Sequence, residues 1–444
     1  MLNTDNIQVR RLLLSGNFGL EKEMLRVTED GHLSHSLHPF SLNEPNITRD
    51  FCENQTEINT PIFKSAGEVV NNLYAYTCRI NSRLERLSPR EYLWPFSNPP
   101  YIKDEEDIPV AQFHGPQQQK TRYREYLSGR YGRYKMTFSG IHFNYSFSGD
   151  LLRSNYEVEN NIRVEKGKES PEYREYESNL YLTLAERLVA YGWIMVTLTA
   201  ASPLMDTSFF ETGRMGGDQF SGFASVRCSE LGYWNVFAPV FDYSNITTYA
   251  DCIQHYIDDG WISAPSELYY PIRLKPRGEN TLENLRTGGV NHIELRMIDL
   301  NPLQKEGIDV RDVKFAQLLL AWLAATPKQK FSTADQVMAN ANYKNAAHFD
   351  LDGSNIVMPD GNVRTVRKAT LNVLQFMEDF YRSINQSDSL FDDALAIIDY
   401  QRKKITQSSD YRYADIVRCR FSGGFVNKGL TLCAKYSALA AAKE

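Results

Sequence analysis

Alternating polar and apolar residues mark four short segments of this chain and predict β-strands that each have one polar face. The segments are residues 19–23 (GLEKE), 53–57 (ENQTE), 141–145 (IHFNY) and 293–296 (IELR). Because side chains on a strand point alternately to opposite sides, residues two positions apart share a face. This places on common faces the pairs Glu21 and Glu23, Glu53 and Glu57, His142 and Asn144, and Glu294 and Arg296.

Apolar residues at helical spacing predict the elements between and after these strands. A capping box at 65–68 (SAGE) starts a long amphipathic helix that we expect to end at Ser88-Pro89. Ser170-Pro171 starts a strongly apolar helix that we extend to Ala201 and expect to pack on the outer face of the sheet. Further helices are predicted over residues 309–325, 363–384, 390–405 and 430–443.

The order of these elements predicts an α+β protein whose strands come early and whose helices come late. No repeat and no linker rich in Pro, Gly or Ser separates two independent parts. We therefore expect one composite domain over residues 1–444, with the catalytic strands mainly within 17–302 and a helical part over 309–444. The segment from Thr212 to Gly222 (TGRMGGDQFSG) has the composition of a loop beside a site, or of a simple surface connection.

The acidic residues on the predicted sheet face indicate a metal site. Carboxylates crowded together repel one another unless cations lie between them, and Mg²⁺ prefers carboxylate oxygens and bridges to substrate phosphates. The candidate ligands are Glu21, Glu23, Asp50, Glu57 and Glu294, with His142 as a nitrogen ligand. Any one of these residues alone would more simply be a solvated strand residue. Their combination, with an arginine nearby, favours divalent metal ions and a phosphate ligand.

Composition narrows the class of protein and of partner. Hydrophobic residues make up 42% and charged residues 23%, as in a folded globular protein. The net charge is −6 and neither sign forms a long block, which excludes a nucleic-acid partner. No apolar run approaches the roughly 20 residues that cross a bilayer, so we expect no membrane association. Six cysteines without C-x-x-C spacing indicate reduced thiols and a cytoplasmic protein.

Seven stretches, in this order along the chain, resemble the bacterial glutamate–cysteine ligase family. They are Gly19–Val27 (GLEKEMLRV), Asp50-Phe51 with Glu57 and Thr60-Pro61, Tyr123–Gly132 (YREYLSGRYG), Ser139–Tyr145 (SGIHFNY), Arg227 ahead of Leu231–Tyr233, Leu268–Arg273 (LYYPIR), and Ile293–Arg296 leading into Asp299–Pro302. The resemblance runs from about Asn17 to the helix predicted near Asp309 and weakens afterwards. It thus covers most of the chain.

The resemblance implies a fold and a reaction. The fold is a funnel-shaped, mainly antiparallel sheet related to that of glutamine synthetase, with helices packed outside. The reaction is the ATP-dependent joining of the γ-carboxylate of L-glutamate to the amine of L-cysteine through γ-glutamyl phosphate, the first step of glutathione biosynthesis. Because a carboxylate and an amine do not form an amide without activation, phosphorylation fits the metal and phosphate site indicated by the residues. The implied cofactors are ATP and Mg²⁺, with Mn²⁺ as an alternative metal.

The resemblance also implies roles for individual residues. His142 would join the carboxylates at the metal, Arg296 would hold the γ-phosphate during transfer, and Arg227 would clamp a substrate carboxylate. Tyr123, Leu127, Phe138, Tyr233 and Tyr269 would line the acceptor pocket, with Tyr233 and Tyr269 on the cysteine carboxylate. Without the resemblance, a lone histidine or tyrosine at these positions would be read as a packing residue, and Arg227 as a surface ion pair.

Two positions depart from the family pattern and keep other functions open. Phe138 stands where a smaller aliphatic residue is expected, and Tyr270 stands where a small residue is usual. One alternative is therefore a γ-glutamyl ligase that uses a different amine, and another is a non-catalytic sensor of ATP or an amino acid. Some family members carry a second ligase module, so this chain is either free-standing or part of a longer bifunctional chain, and its oligomeric state is open.

Three histidines at a spacing of three, His32, His35 and His38, form a second candidate metal cluster. A strand would need ligands at alternate residues, and a helix needs a spacing of three or four. The neighbouring Gly31 and Pro39 predict a turn instead. We therefore do not predict a metal site at these histidines.

Overall fold

The computed structural model describes residues 1–167, 170–210, 217–327, 331–385 and 389–442. The strands are β1 (Gly16–Thr28), β2 (Ile47–Arg49), β3 (Gln55–Asn59), β4 (Glu91–Leu93), β5 (Gly140–Phe147), β6 (Leu204–Asp206), β7 (Asp218–Phe220), β8 (Ile272–Pro276), β9 (Val290–Asp299), β10 (Asn355–Val357) and β11 (Val363–Thr365). The α-helices up to the sheet's last strand are α1 (Ile7–Leu12), α2 (Ala66–Glu85), α3 (Gln118–Tyr131), α4 (Gly149–Asn160), α5 (Pro171–Tyr191), α6 (Trp193–Thr199), α7 (Ile246–Asp258) and α8 (Leu282–Gly288). The later ones are α9 (Val310–Ala325), α10 (Thr333–Asn345), α11 (Val366–Ile384), α12 (Asp392–Thr406), α13 (Ser408–Tyr411), α14 (Tyr413–Phe421) and α15 (Phe425–Ala441).

One large sheet organises the molecule. Among the described residues it contains seven strands in the order β2-β3-β1-β5-β9-β8, with β4 paired to the far end of β1. All of its pairings are antiparallel. Two-stranded ribbons, β6 with β7 and β10 with β11, lie apart from it. The predicted α+β class and the mainly antiparallel sheet are confirmed.

The two faces of this sheet have opposite chemistry because apolar and polar residues alternate along the central strands. Leu20, Ile141, Phe143, Ile293 and Leu295 are fully or almost fully buried on the outer face. Helices α2, α5 and α6 contact the strands on that side, and α9 packs against all three helices. Nearly every residue of α6 and α9 is buried. The apolar core therefore lies outside the sheet, and the polar residues face the other way.

The early helix predictions are confirmed with one correction. Helix α2 begins after Ser65, whose hydroxyl accepts from the backbone N–H of Glu68 at 3.2 Å. The helix expected from Pro171 to Ala201 is two helices, α5 and α6, divided at Gly192. The Tyr343 hydroxyl donates to the Leu188 carbonyl at 2.5 Å. A methyl group on Gly192 would lie 2.2 Å from the Tyr343 hydroxyl oxygen. A glycine is therefore needed where Tyr343 approaches the helix.

The later predictions are also close to the observed elements. Helices α9 and α12 match their predicted ranges within one or two residues, and α15 begins earlier than predicted, at Phe425. The range 363–384 begins as a short strand, β11, before α11. Of the predicted loop at 212–222, residues 217–222 are described and include β7, whereas 212–216 lie outside the described residues, as does Lys443.

The predicted strand at 53–57 needs a correction. Strand β3 begins at Gln55, and Glu53 lies in the turn before it. The buried carboxylate of Glu53 accepts from Arg49 Nε at 3.1 Å and from the backbone N–H of His38 at 3.0 Å. Because the two-residue alternation holds only within a strand, Glu53 does not share the face of Glu57.

Candidate active site

The register of the sheet brings the predicted metal ligands together. Glu23 pairs with Glu57 across β1 and β3, and Glu21 pairs with His142 across β1 and β5. On the next strand, Glu294 pairs with Asn144. Segments more than 100 residues apart in sequence therefore present acids and one imidazole to the same side of the sheet.

Glu21, His142 and Glu294 form the tightest part of this cluster. One ligand atom from each lies within 4.8 Å of the others. His142 Nδ1 lies 2.9 Å from Glu21 Oε2 and 3.7 Å from Glu294 Oε1. Asn144 Nδ2 donates to the second oxygen of Glu21 at 2.9 Å, which fixes the orientation of that carboxylate. Burial opposes ionisation of Glu21, as does Glu294, but the contacts with His142 hold its pKa below the usual value.

A second group of acids lies beside the first. Glu23 is 7% exposed, and Glu57 and Asp50 are half-buried. Burial, together with the charges of Asp50, Glu21 and Glu23, raises the pKa of Glu57 well above its usual value. Burial also raises the pKa of Glu23, against the opposing effect of His142. Neighbouring positive charges therefore do not offset the effect of burial on Glu23 and Glu57.

Cationic side chains form the opposite wall. Arg296 Nη1 donates to Glu294 Oε1 at 2.9 Å, and Lys275 Nζ lies 3.3 Å from Glu294 Oε2. Burial opposes ionisation of Glu294, but Arg296, Lys275 and Arg273 hold its pKa well below the usual value. The Arg296 guanidinium, although buried, has its pKa raised by Glu294. The site thus contains two carboxylates whose pKa is lowered, Glu21 and Glu294, and two whose pKa is raised, Glu23 and Glu57.

Arg227 reaches the same site from the segment after β7. Its guanidinium donates to the carbonyl oxygens of Arg296 at 2.8 Å and of Ile298 at 3.4 Å. Among the described residues, no carboxylate forms an ion pair with Arg227 within the 4 Å limit of such contacts. The half-buried guanidinium, which also donates to Cys228 Sγ at 3.9 Å, is therefore available to pair with an anionic ligand.

Aromatic side chains line the other end of the site. The rings of Tyr233 and Tyr269 have centroids 4.1 Å apart, and Tyr269 also contacts Tyr131 edge-on at 5.3 Å. Burial raises the pKa of both Tyr233 and Tyr269, so both hydroxyls stay protonated. At the rim, the Tyr123 hydroxyl oxygen accepts from Ser266 Oγ at 3.1 Å. This end of the site therefore offers a mainly apolar pocket with phenolic donors.

A single cavity of about 290 Å³ joins the two ends. Every residue proposed from the sequence as ligand, phosphate, carboxylate or pocket residue lines it: Glu21, Glu23, Asp50, Glu57, Tyr123, Leu127, Phe138, His142, Arg227, Tyr233, Tyr269, Glu294 and Arg296. Tyr270 is not among its lining residues and packs against Phe241 at 5.4 Å between ring centroids. Only Phe138, of the two departures from the family pattern, therefore borders the site.

The sequence reasoning missed several cationic residues of this cavity. Arg124, Arg273 and Lys275 also line it. Arg124 donates to the Asp50 carbonyl, and Arg273 donates to the Leu268 carbonyl at 3.0 Å. Arg273 and Lys275 are alternate residues of β8, so the rule that placed Glu294 and Arg296 on one face could also have placed these two.

The donor set fits a divalent cation. Carboxylate oxygens and one imidazole nitrogen converge. Burial, and then the neighbouring acids, raise the pKa of Glu57, and a bound cation would oppose both effects. Glu21, His142 and Glu294 are the residues close enough to share one ion, with Glu23, Glu57 and Asp50 beside them. The histidines at 32, 35 and 38 do not converge in this way. His35 contacts Asp107 at 3.0 Å, whereas His38 lies against Thr56 at 3.3 Å.

A second cavity, of about 200 Å³, shares Glu21 with the first. Its walls carry amides and hydroxyls from Asn17, Asn59, Thr60 and Asn144 beside the exposed apolar side chain of Ile62. The Asn144 carbonyl oxygen Oδ1 is buried and accepts no hydrogen bond from any described residue. A ligand that entered here would meet hydrogen-bonding groups at one end and the carboxylate cluster at the other.

Comparison with known proteins identifies the family to which the chain is similar. The model of the glutamate-cysteine ligase family matches residues 3–261 and 234–346. A glutamate–cysteine ligase from Clostridium acetobutylicum is 32% identical over 76% of this chain and 77% of its own length. A glutathione biosynthesis bifunctional protein from Listeria welshimeri is 33% identical over 97% of this chain and 55% of its own length. The chain thus spans about half the length of the bifunctional relatives that it matches.

A solved structure supports the fold. The crystal structure of a glutamate–cysteine ligase from Francisella tularensis in complex with AMP superposes with a TM-score of 0.81. The two chains are 22% identical, and the match covers 96% of this chain and 89% of that one. At this identity the likeness supports the architecture of the sheet and helices. In the described part of the chain, no helix is long and apolar enough to span a membrane.

Proposed function

Because the chain belongs to the glutamate–cysteine ligase family, we propose that it joins the γ-carboxylate of L-glutamate to the amine of L-cysteine with ATP as phosphoryl donor. The observation that supports this most directly is the single cavity in which a carboxylate cluster, four arginines and a tyrosine-lined pocket meet. Each part suits one requirement of the reaction: activation of a carboxylate, charge stabilisation, and binding of an amine. The product is a γ-glutamyl dipeptide, the first intermediate of glutathione biosynthesis.

The nucleotide is proposed to lie across the two cavities. The amide and hydroxyl groups around Asn59 and Asn144 would contact the base and sugar, and the triphosphate would extend past Glu21. When bound, Mg²⁺ held by the carboxylate cluster and His142 would neutralise the phosphates and align the γ-phosphoryl group; Mn²⁺ is the alternative ion. Arg296 has its charge fixed by the adjacent Glu294 and would contact the γ-phosphate.

The chemistry then takes two steps. A γ-carboxylate oxygen of glutamate attacks the γ-phosphorus of ATP, and the bond to ADP breaks, which gives γ-glutamyl phosphate. The amine nitrogen of the acceptor next attacks the γ-carbonyl carbon, and phosphate leaves with the former carboxylate oxygen while the amine loses a proton. Arg227 would hold a substrate carboxylate, and the pocket of Tyr123, Leu127, Phe138, Tyr233 and Tyr269 would bind the acceptor.

We place this reaction in the cytoplasm, where ATP is available. The cysteines among the described residues are free thiols, which agrees with a reducing compartment. A thiol acceptor such as cysteine would also remain reduced there.

The decisive experiment is a coupled assay for ADP release from the purified chain. We expect turnover that requires Mg²⁺, glutamate and cysteine together, with omission of any one abolishing it. Turnover with glutamate and a different amine, but not with cysteine, would support the alternative acceptor that Phe138 leaves open. Saturable ATP binding without ADP release under any combination would contradict a ligase and favour a sensor.

A further inference from the structure

Gly140 lies directly beneath the guanidinium of Arg227. A methyl group built on Gly140 would lie 2.3 Å from Arg227 Cζ and 2.4 Å from Arg227 Nη2. These distances are far shorter than non-bonded contacts between carbon atoms or between carbon and nitrogen. The guanidinium can therefore occupy its position only above a residue without a side chain. A glycine inside a strand often marks such a close approach.

The strand opposite supplies the other contacts of the guanidinium. Between β5 and β9 the register shifts, because Ile141 pairs with Ile298 while Phe143 pairs with Leu295. This bulge places one extra residue of β9 opposite His142 and disturbs the regular ladder at Arg296. The Arg296 carbonyl accepts from Arg227 Nη2 at 2.8 Å. The guanidinium therefore lies between a bulged carbonyl and the surface of Gly140.

Asp299, the register partner of Gly140, fixes the chain segment from which Arg227 projects. Its buried carboxylate accepts from Ser225 Oγ at 2.9 Å and from Ser202 Oγ at 2.6 Å. Ser225 Oγ in turn accepts from the backbone N–H of Cys228 at 3.2 Å. The carboxylate thus holds the residues on both sides of Arg227 against the end of β9.

Gly140 also contacts the acidic cluster, but through its backbone. Its N–H donates to Glu23 Oε2 at 3.0 Å. A substitution by alanine would keep this N–H and fill only the space below Arg227. The two contacts of Gly140 can therefore be separated experimentally.

We propose that Gly140 is a positioning residue: its missing side chain lets the Arg227 guanidinium lie flat on β5, aimed at a substrate carboxylate, with Asp299 fixing the segment that carries it. This inference rests on the proposed function, in which Arg227 binds such a carboxylate. It assigns to the glycine of the SGIHFNY motif a task in substrate binding that is distinct from the metal contacts of His142.

The test is a double-substitution cycle of Gly140→Ala with Arg227→Ala, with Gly67→Ala as the matched control because nothing lies within 4 Å of a methyl group there. We expect Gly140→Ala to raise KM for one amino-acid substrate at least tenfold. KM for ATP should change less than twofold, as should the affinity for Mn²⁺ measured by electron paramagnetic resonance. In the Arg227→Ala background, Gly140→Ala should have almost no further effect. Independent, multiplying effects of the two substitutions, or an unchanged KM, would overturn the proposal.

Two further measurements separate this proposal from the proposed function and from misfolding. A crystal structure of Gly140→Ala should show the Arg227 guanidinium displaced from the Arg296 carbonyl; an unmoved guanidinium would overturn the proposal even if the wild-type chain catalysed a different reaction.

If Gly140→Ala does not fold, Asp299→Asn is tested in its place, because asparagine keeps the shape of the side chain but weakens the hydrogen bonds to Ser225 and Ser202. It should raise KM for the same substrate alone, and an equal effect on all substrates would contradict the proposal.

Discussion

Two buried groups of charges in this protein are built in opposite ways. The first lies among the late helices, where Lys404 and Asp312 form an ion pair at 2.6 Å with side chains that are 0% and 2% exposed. Lys404 also donates to the Leu198 carbonyl at 2.8 Å, and Gln401 donates to Asp312 at 2.9 Å. One positive and one negative charge thus meet with hydrogen bonds around them.

The second group is the carboxylate cluster on the sheet, where the protein does not balance the charges in this way. Glu294 has Arg296 and Lys275 beside it. Glu57 instead has Asp50, Glu21 and Glu23 as neighbours, and burial together with these acids raises its pKa. Such an arrangement lowers stability, since each acid would be easier to bury with a partner. From this comparison we expect Lys404 and Asp312 to stabilise the fold, and we propose that the cluster binds a cation.

The largest effect on stability is expected at the balanced pair. Lys404→Met leaves the Asp312 carboxylate buried with Gln401 alone, and we expect the free energy of unfolding to fall by about 3–5 kcal/mol. Lys403→Met is the matched control, because the neighbouring Lys403 is 39% exposed and forms only a surface pair with Asp399. Urea unfolding measures both. A loss below about 1 kcal/mol for Lys404→Met would show that this pair does not stabilise the fold.

A large effect on catalysis is expected at Arg296. Arg296→Lys keeps a positive charge beside Glu294 but removes the planar guanidinium, so we expect turnover to fall about 100- to 1,000-fold while the free energy of unfolding changes by about 1 kcal/mol or less. ADP release and urea unfolding are measured on the same preparations. Arg286→Lys, on a surface pair with Asp251, serves as the control. Parallel losses of stability and turnover would instead assign Arg296 a structural role.

A smaller effect on the free energy of unfolding, opposite in sign to that of Lys404→Met, is expected at the carboxylate cluster. Glu57→Gln removes one of the repelling acids, and we expect the metal-free protein, kept in a chelator, to gain about 1 kcal/mol while Mg²⁺-dependent turnover is lost. Burial first, and then the neighbouring acids, raise the pKa of Glu57 in the folded protein. Its contribution to stability is therefore present below the unfolded value near 4.5 and is lost as pH rises through the folded pKa.

The advantage of Glu57→Gln over the wild type should consequently grow as pH rises above about 4.5. Comparing unfolding curves at several pH values isolates this residue from Glu21 and Glu294, whose pKa values are lowered and act in the reverse sense. Glu283→Gln, on an exposed position of α8, controls for the loss of one negative charge. A variant that is less stable than the wild type at every pH would contradict the comparison of the two charge groups.

The sequence could predict which side chains share a face, but not which strands lie side by side. Alternation within 19–23 and 293–296 was enough to place Glu21 with Glu23 and Glu294 with Arg296. That Glu21 lies opposite His142 depends on a pairing between segments about 120 residues apart, and the bulge in β9 depends on tertiary contacts. The order of the family motifs, not the periodicity, indicated that these segments belong to one site.

Errors arose where local rules were applied beyond one element. Glu53 was assigned to the face of Glu57 because the strand was drawn two residues too long; a turn precedes Gln55 and directs Glu53 toward Arg49. The helix from Pro171 was extended through Gly192 because the Tyr343 hydroxyl that divides it comes from more than 150 residues later in the chain. Arg273 and Lys275 were missed, although their alternation in β8 follows the rule that placed the acids.

The smallest effect is expected at the aromatic end of the cavity, which carries no excess charge. Phe138 is 5% exposed and contacts the ring of Phe209 at 5.3 Å between centroids, so Phe138→Leu would widen the acceptor pocket without unpairing a polar group. We expect kcat/KM for cysteine to fall about tenfold or less relative to a larger amine acceptor, because a change of a few methylene groups alters discrimination only modestly. Competition assays with pairs of acceptors measure this ratio, and Phe376→Leu, on an exposed position of α11, is the control. A change of a thousandfold or more would mean that Phe138 fixes acceptor identity by itself. It would contradict the proposed contrast between a charged end of the cavity that activates the carboxylate and an apolar end that only modestly selects the amine.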